Sequence, residues 1–538
     1  MQTKNRTLRA WELEPNDNIS FPIGTILTVQ QYYRRLDLFD LFKQFKERGI
    51  DINLTSTENK RRLHSLQFFG EKVKENVTFG LGSIALIEKA DDSLNGYFEQ
   101  ILDGVGGKAQ DFIPCVKLLI ANRMGECHSI CRLGDLPEEY FKWLGFSKPR
   151  SDRTFNRTLE RIGKSYQFIV QRHQDIIREH GLVTKEQFPD FSSTYFEGEK
   201  SEMGELGYSR DNEPGKLQIT FGICTGMNDI PTALTIQKGN VQDKKHFGFM
   251  LKTAKHVLEE NSVLIFDCGG NTKKNKKLIR SNKFQYLTLK PKKVGPYKHL
   301  ISFYNHPDYE KKSITLNGRN YTCVKVKMWR EYNYVFFSED LYNHNMKSKN
   351  KRFSKEIEKN KQKLKKTLSG KTVDEYLCED GYILTKGSLQ TVIDDIPNPY
   401  VNGLEGFFVL QSSIDEDPEK ILTLYKNLDK AEKLIRNIKE GTELHPVRHW
   451  SKWSVIGYLV IIFLTNFLIN LTLLQSKGQA LVKNVKLLKK YLMRLTVTIV
   501  YPANGFRFHV ISNISDEIRS LLSNYVDKYR DNSLSNRW

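Results

Sequence analysis

A run of 21 residues without a charged side chain, SVIGYLVIIFLTNFLINLTLL at 454–474, constrains the fold more than any other segment. As a helix it is long enough to cross a bilayer, so the chain must either span a membrane there or surround the run with protein. Asn466 and Asn470 lie on one helical face, and a glycine interrupts the run. We expect a buried helix packed under a sheet, with a single membrane span as the alternative.

The rest of the chain is basic. Its 538 residues include 83 Lys and Arg against 63 Asp and Glu, a net charge of +20, which favours nucleic acid as partner and an anionic membrane surface second. An odd number of scattered cysteines and an N-terminus without an apolar signal-peptide core lead us to expect a reducing, cytoplasmic location. Cys127 and Cys131, with His128 between them, lack the second ligand pair of a zinc site. A buried or loop thiol is the preferred interpretation.

Residues 1–183 have the apolar spacing of helices. In SDRTFNRTLERIG, which begins at Ser151, one helical face is apolar and another carries a row of arginines. The apolar residues are Phe155, Leu159 and Ile162, and the arginines are Arg153, Arg157 and Arg161. Such a helix suits a DNA groove or backbone, so we predict a helical region that binds DNA ends. A solvated surface face is the alternative.

From residue 184 the apolar period changes from helix to strand. The predicted order is three strands, helix, strand, helix, strand, which is the order of a ribonuclease H-like domain. The sequence thus predicts a mixed α/β fold. Its ribonuclease H-like core occupies 184–300 and 416–475, a β-rich insertion with a lysine-rich helix occupies 301–415, and a C-terminal α/β extension occupies 476–538.

The segment VLIFDCGGNTKKNKKLIR, 263–280, ends a buried strand on Asp267 and then adds lysines, and no acid occurs from 268 to 306. A carboxylate in such a place is costly unless it is paired, hydrogen-bonded or bound to a metal. A solvent-exposed surface of this bias would be strongly repulsive unless it bound a polyanion. We therefore expect a nucleic-acid channel here, and acidic companions for Asp267 on neighbouring elements.

Two companions are predicted. Asp190 opens the first strand, and Glu432 lies in a helix where Tyr425, Glu432 and Lys439 recur every seven residues along the border of an apolar seam. Each acid also has an ordinary interpretation. Asp190 could be a strand-end turn residue, Asp267 a cap for the helix near Thr272, and Glu432 the i+4 partner of Arg436.

Several blocks in this order resemble DDE transposases, and more narrowly the bacterial and archaeal insertion-sequence group with a Y-R-E-K signature. The blocks are PDFSSTYFEG, GYSRD at 207–211, GN followed by an acid at 239–243, VLIFDCGGNT, and Y-x2-L-x3-E-x6-K at 425–439 followed by ELHPVRHW. The resemblance covers roughly 185–475. It implies a ribonuclease H-like fold with a β-rich insertion between the second and third acids.

The resemblance implies that Asp190, Asp267 and Glu432 are the catalytic acids and hold two Mg²⁺ ions, with Mn²⁺ as a substitute. Close carboxylates repel one another, and two hard cations would neutralise them and bridge a phosphodiester. The resemblance also implies that Tyr425 and Lys439 contact DNA near the scissile phosphate. On the charge argument, the lysines after Asp267, Lys273 and Lys274, would hold DNA phosphates. Leu428 stands where the signature has arginine, so that phosphate contact is absent or comes from another residue such as Arg436.

The expected function is cut-and-paste transposition: binding of terminal inverted repeats, metal-dependent cleavage, and transfer of the freed 3′-hydroxyl to target DNA. The expected partners are double-stranded DNA and a second copy of the chain in the DNA complex, with no membrane, at the nucleoid. Alternatives are a related nuclease or resolvase, a catalytically impaired DNA-binding derivative, and a membrane protein anchored by 454–474. P-loop chemistry is disfavoured because no G-x-x-x-x-G-K-[ST] motif occurs, and GVGGKA at 104–109 has the wrong spacing.

Overall fold

The structure is a computed structural model that describes residues 18–20, 51–53, 76–105, 111–367, 375–377, 383–385, 398–476, 484–500, 508–522 and 525–526. The chain forms two compact units. The helix-rich unit comprises 1–183, 191–241 and 432–538, and the sheet unit comprises 184–190 and 242–431. Helices and strands alternate through most of the described chain, which confirms the predicted mixed α/β class.

The helices are α1 (Gly82–Ser93), α2 (Tyr97–Leu102), α3 (Phe112–Met124), α4 (Glu138–Trp143), α5 (Asp152–Lys164), α6 (Tyr166–Glu179), α7 (Asp243–Ala254), α8 (Lys273–Ser281), α9 (Val294–Asn305), α10 (Glu339–Thr367), α11 (Pro418–Lys426), α12 (Asp429–Arg436), α13 (Lys452–Gln475), α14 (Val485–Arg494) and α15 (Asp516–Leu522). Single turns of other geometry lie at Ile130–Asp135, Cys268–Gly270 and Asn437–Gly441.

The strands are β1 (Asn18–Ser20), β2 (Asp51–Asn53), β3 (Val77–Gly80), β4 (Glu186–Tyr195), β5 (Gln218–Gly226), β6 (Pro231–Lys238), β7 (Val263–Phe266), β8 (Gln285–Leu289), β9 (Lys312–Leu316), β10 (Arg319–Met328), β11 (Glu331–Phe337), β12 (Glu375–Leu377), β13 (Ile383–Thr385), β14 (Phe407–Ser412), β15 (Thr496–Val500) and β16 (Phe508–Ser512).

Helix α13 is the centre of the helix-rich unit. Every residue from Ser454 to Thr472 is buried, as the sequence predicts for this run. Its main partners are helices α5, α3 and α1, with β6 as a strand partner, so it is surrounded by helices more than covered by a sheet. By length and composition α13 is the one helix in the described chain that could cross a membrane, and its most apolar window is fully buried.

Two glycines let α13 and α5 touch backbone to backbone. A methyl group on Gly457 would lie 2.0 Å from the Leu159 carbonyl oxygen, and one on Gly163 would lie 1.9 Å from the Trp453 carbonyl oxygen. Contacts this short leave no room for any side chain larger than hydrogen. The α13–α5 contact therefore anchors α5 along its apolar side.

The helix-rich unit also contains strands. Strands β6, β5 and the second half of β4 are neighbours in that order, and β16, β15 and β3 form a three-stranded sheet. The predicted C-terminal hairpin is present as β15 and β16, whereas its turn at 501–507 lies outside the described residues. The helices predicted before residue 76 also lie outside the described part of the chain.

The sheet unit contains one mixed sheet in the order β4, β7, β8, β14, β11, β10, β9. Strands β4, β7 and β8 are parallel, and the remainder are antiparallel. The strands of the predicted insertion thus continue the sheet from β8, because β14 pairs directly with it. The predicted turn at Asn317-Gly318 is present, with both residues at positive φ, as a two-residue hairpin turn requires.

Candidate functional site

Asp190 and Asp267 belong to two neighbouring parallel strands of the sheet unit, Asp190 within β4 and Asp267 directly after β7. The β4–β7 register pairs Glu186 with Val263 and Gln187 with Leu264. Extended by three residues beyond the last of these pairs, the same register would align Asp190 with Asp267, at an interstrand spacing of about 4.8 Å. Asp190 lies in the middle of β4, so its predicted place at the opening of the strand is wrong. The strand begins earlier because Glu186 and Gln187 already pair with β7.

Asp267 follows β7 directly, and its side chain is exposed. The Thr288 hydroxyl donates to its carbonyl oxygen at 3.3 Å, and the Cys268 thiol lies 3.7 Å from its Oδ2. The cap of α8 is Thr272, whose hydroxyl accepts from the Asn275 N–H at 3.1 Å. Asp267 makes no capping bond. The helix-cap alternative for Asp267 is therefore wrong, and its carboxylate faces solvent at the end of a buried strand.

A further acid, Asp243, approaches the same turn from the start of α7. A methyl group on Gly269 would lie 3.2 Å from the Asp243 Oδ2. Burial raises the pKa of the Cys268 thiol, and the carboxylates of Asp267 and Asp243 raise it further. Asp243 is not among the predicted site residues, although the block of GN followed by an acid is a sequence signal that could have identified it.

The possible metal ligands at this edge are carboxylate oxygens. Carboxylate oxygens on adjacent strands are the hard ligands that Mg²⁺ prefers. Within the described ranges, no group of three or more His, Cys, Asp and Glu is arranged to hold a metal ion. Asp190 and Asp267 thus supply two suitable donors, and the three-acid metal site stays a prediction.

Glu432 belongs to the helix-rich unit and is exposed. The single helix predicted around it is interrupted: α11 ends at Lys426, and α12 begins at Asp429. Between them, the Leu428 N–H donates to the Tyr425 carbonyl, a bond over three residues in place of the four of an α-helix. Tyr425 therefore does not continue the stripe of Glu432 and Lys439 that the seven-residue spacing predicted. The predicted apolar seam is nevertheless buried, comprising Leu424, Leu428, Ala431, Ile435 and Ile438. In the described part of the chain, Glu432 makes no ion pair with Arg436, which is also exposed.

Lys439 lies in the π-helical turn after α12, and its ammonium is held by Asp211. The two groups are 2.6 Å apart, and each side chain is only 12% exposed. This pair joins the GYSRD block to the last residue of the Y-x2-L-x3-E-x6-K block. Lys439, which the resemblance places on DNA, therefore has a partner within the chain.

Other blocks of the resemblance also meet in the helix-rich unit. A methyl group on Gly207 would lie 2.2 Å from the Gly239 carbonyl oxygen, so GYSRD and GN touch backbone to backbone. ELHPVRHW runs beside the end of β4, where the Val447 N–H donates to Tyr195 at 2.9 Å and the Glu197 N–H donates to Val447 at 3.1 Å. Segments far apart in sequence are thus brought into direct contact.

The predicted arginine row on α5 is exposed, comprising Arg153, Arg157 and Arg161, and the predicted apolar face is buried. The structure therefore confirms the two-faced helix. DNA contact by its arginines stays a prediction, because a surface helix that binds no DNA would also have exposed arginines.

The lysines after Asp267 divide into two kinds. Lys273 and Lys274 are exposed in the first turn of α8. Lys276 is buried instead, where it donates to Gln411 at 2.8 Å and pairs with Glu331 at 3.3 Å. Burial lowers the pKa of Lys276, and Glu331 opposes that shift. The positive run thus meets solvent at its start and ties α8 to the sheet in its middle.

Tyr425 lines a cavity of about 630 Å³ within the sheet unit. Aromatic and basic side chains share its wall, including Tyr321, Phe408, Arg319 and Lys426. The predicted DNA contact Tyr425 thus lies beside two cations, Arg319 and Lys426, that are not among the predicted site residues.

No family model matches the chain, and no curated protein matches it. Among solved structures, one match is the piggyBac transposase synaptic complex with hairpin DNA. The identity is 11% and the TM-score 0.36, over 86% of this chain and 88% of that chain. This TM-score is too low to indicate a common fold, and the function proposed below rests on the residues of the chain itself.

Proposed function

We propose that the chain is a DDE-type transposase of an insertion sequence, which cleaves DNA at element ends and transfers the freed 3′ ends to target DNA. The observation that carries this proposal is the parallel register of β4 and β7, whose extension would align Asp190 with Asp267. The acid-free, lysine-rich segment that follows Asp267 supports DNA as the substrate. The order of the resembling blocks supports the narrower insertion-sequence assignment.

The mechanism needs no protein nucleophile. Asp190 and Asp267 would hold Mg²⁺ through carboxylate oxygens, with Glu432 as the third proposed ligand. The bound ions supply activation of the attacking hydroxyl and stabilisation of the leaving oxygen. Lys273 and Lys274, exposed in the turns after Asp267, bind phosphates of the same strand and hold it against the acids.

We also propose a ribonuclease H-like core. Its support is the parallel set β4, β7 and β8 in the sheet unit, and the continuation of β4 beside β5 and β6 in the helix-rich unit. In this proposal the partners are double-stranded DNA and a second copy of the chain, because two element ends must be joined. The location is the cytoplasm, at the nucleoid.

The test is incubation with the DNA that flanks the chain's own gene, with and without Mg²⁺ or Mn²⁺. Asp267→Asn and Asp190→Asn should each abolish cleavage and leave DNA affinity within about threefold of the parent. Asp308→Asn is the matched control, since Asp308 is an exposed acid of the same unit and, among the residues that the structure describes, forms an ion pair with His306 alone. Cleavage that survives Asp267→Asn would remove this residue from the site and the proposal with it.

A second candidate function is a catalytically impaired DNA-binding derivative. Leu428 favours it, because the side chain is 7% exposed on the apolar seam where the signature has arginine. Specific binding to the flanking DNA without cleavage in either metal would support this candidate. Cleavage without joining of precut ends would instead indicate a nuclease or resolvase.

A further inference from the structure

We propose that the loop after β8, residues 290–293, and the first turn of α8 form one phosphate-binding edge that holds a DNA strand across Asp267. This inference rests on the proposed function and adds two binding residues, Lys292 and Lys293. The partner is the sugar-phosphate backbone of DNA.

The loop after β8 begins beside the end of β7. Strands β7 and β8 are parallel, with Phe266 opposite Thr288, so both strands end at the same edge of the sheet. Two bonds join the segments that leave that edge: Thr288 donates to the Asp267 carbonyl, and the Asn271 amide donates to the Leu289 carbonyl at 2.9 Å. The loop 290–293 therefore begins beside Asp267, opposite the turn that leads to Lys273.

Several of the cations near this edge already have partners within the chain. Residues 268–306 contain ten Lys and Arg and no acid. Lys276 is bound to Glu331, and Lys283 pairs with Glu260 at the opposite end of β8. Burial lowers the pKa of Lys290, whose ammonium is half-buried near Glu331. These three lysines are thus occupied or turned away from the edge.

In the loop 290–293 itself, Lys292 and Lys293 are the two cations that stay available. Both are exposed, and neither makes an ion pair with any residue that the structure describes. Desolvation lowers the pKa of Lys292, the neighbouring charge of Lys349 lowers it further, and Glu405 opposes the shift. A phosphate bound here would meet two exposed ammonium groups that have no competing ion pair among the described residues.

The two lysine pairs leave the same edge of the sheet. Lys273 and Lys274 follow Asp267 through the turn after β7, and Lys292 and Lys293 follow β8, whose end is bonded to that turn. A DNA strand held by both pairs would run along the ends of β7 and β8, which brings one phosphate to the acids. The edge thus both neutralises the strand and sets which phosphate is presented for cleavage.

The experiment compares Lys292→Gln/Lys293→Gln with a control of equal charge loss, Lys283→Gln/Lys252→Gln, on the flanking duplex without divalent metal. Lys252 is an exposed lysine in the last turn of α7. Two lost phosphate contacts should lower the slope of log affinity against log salt by about 1.8, at about 0.9 for each contact, and weaken binding at least tenfold at low salt. The control pair should stay within about threefold of the parent, and Lys292→Arg/Lys293→Arg should restore affinity.

A second arm uses DNA with neutral methylphosphonates on either side of the cleaved phosphate. On this probe, the parent and Lys292→Gln/Lys293→Gln should bind alike, because the phosphates that the lysines hold are already neutral. If the parent cleaves its DNA while Lys292→Gln/Lys293→Gln matches the control pair, the edge is wrong and the proposed function stands. If the parent neither binds nor cleaves, both fail.

Discussion

At the scale of single residues, the Lys439–Asp211 pair shows why the sequence could identify participants but not their partners. Both residues fall within blocks of the resemblance, yet 228 positions separate them, and no local pattern joins groups so distant. The same limit applies to Asp243, whose approach to Gly269 depends on how α7 is placed beside the turn after β7. The residue types indicated which residues take part in the site, but only the folded structure shows which side chains pair with each other.

Removing either member of the Lys439–Asp211 pair should leave the other charge poorly solvated, because each side chain is 12% exposed. Asp211→Asn and Lys439→Gln should each lower the free energy of unfolding by about 1–3 kcal/mol. The double variant should lose less than the sum, measured by urea denaturation. If Lys439 also contacts DNA, only Lys439→Gln should weaken DNA binding. Strictly additive losses would mean that the pair contributes nothing.

The buried carboxylate of Glu405 gives a pH prediction. Burial alone would raise its pKa, but bonds from Lys349 and from the Asn402 N–H outweigh burial and lower the pKa to about 2. A pKa below the unfolded value stabilises the fold above about pH 4.5, and that stability is lost as pH falls from about 4.5 towards 2. Glu405→Gln should therefore be less stable than the parent at pH 7, and the difference in unfolding free energy should shrink below pH 4.5. A constant difference down to pH 3 would contradict this account.

At the scale of elements, local signals were predictive where the cause was local. Asn317-Gly318 predicted a hairpin turn because its positive φ angles are a property of those two residues. The break between α11 and α12 was not predictable, because the apolar seam runs through it without interruption. Likewise, the sequence of the strands after residue 301 did not indicate pairing with β8. Which strands pair depends on how the whole sheet assembles and not on the sequence of one strand.

The α13–α5 contact gives an element-scale prediction with a built-in control. Gly457→Ala places a methyl group 2.0 Å from the Leu159 carbonyl oxygen, so the helices must separate, at a cost of about 1–3 kcal/mol despite the better helix propensity of alanine. Gly248→Ala in α7 meets nothing within 4 Å and should stabilise by about 0.5–1 kcal/mol. Opposite shifts in melting temperature check both statements, and a stable Gly457→Ala would show that the helices do not touch.

At the scale of the whole molecule, periodicity was enough to give the α/β class and the sequence order of strands and helices. It could not give the division of the chain, in which both units are built from separated segments and β4 contributes to each. Glu432 illustrates the consequence. Its helix follows from apolar spacing, but whether Glu432 completes a site with Asp190 and Asp267 depends on packing that spacing does not encode.

The apolar helix yields a prediction for the whole chain. A span in a bilayer needs a lipid-facing surface, but every side chain of α13 from Ser454 to Thr472 is covered by protein. Moving α13 into lipid would also strip the apolar face of α5, including Leu159, of its cover. After lysis without detergent and ultracentrifugation, the chain should remain in the supernatant. Recovery that required detergent would mean that α13 leaves its partners, and the membrane alternative would then replace the buried helix.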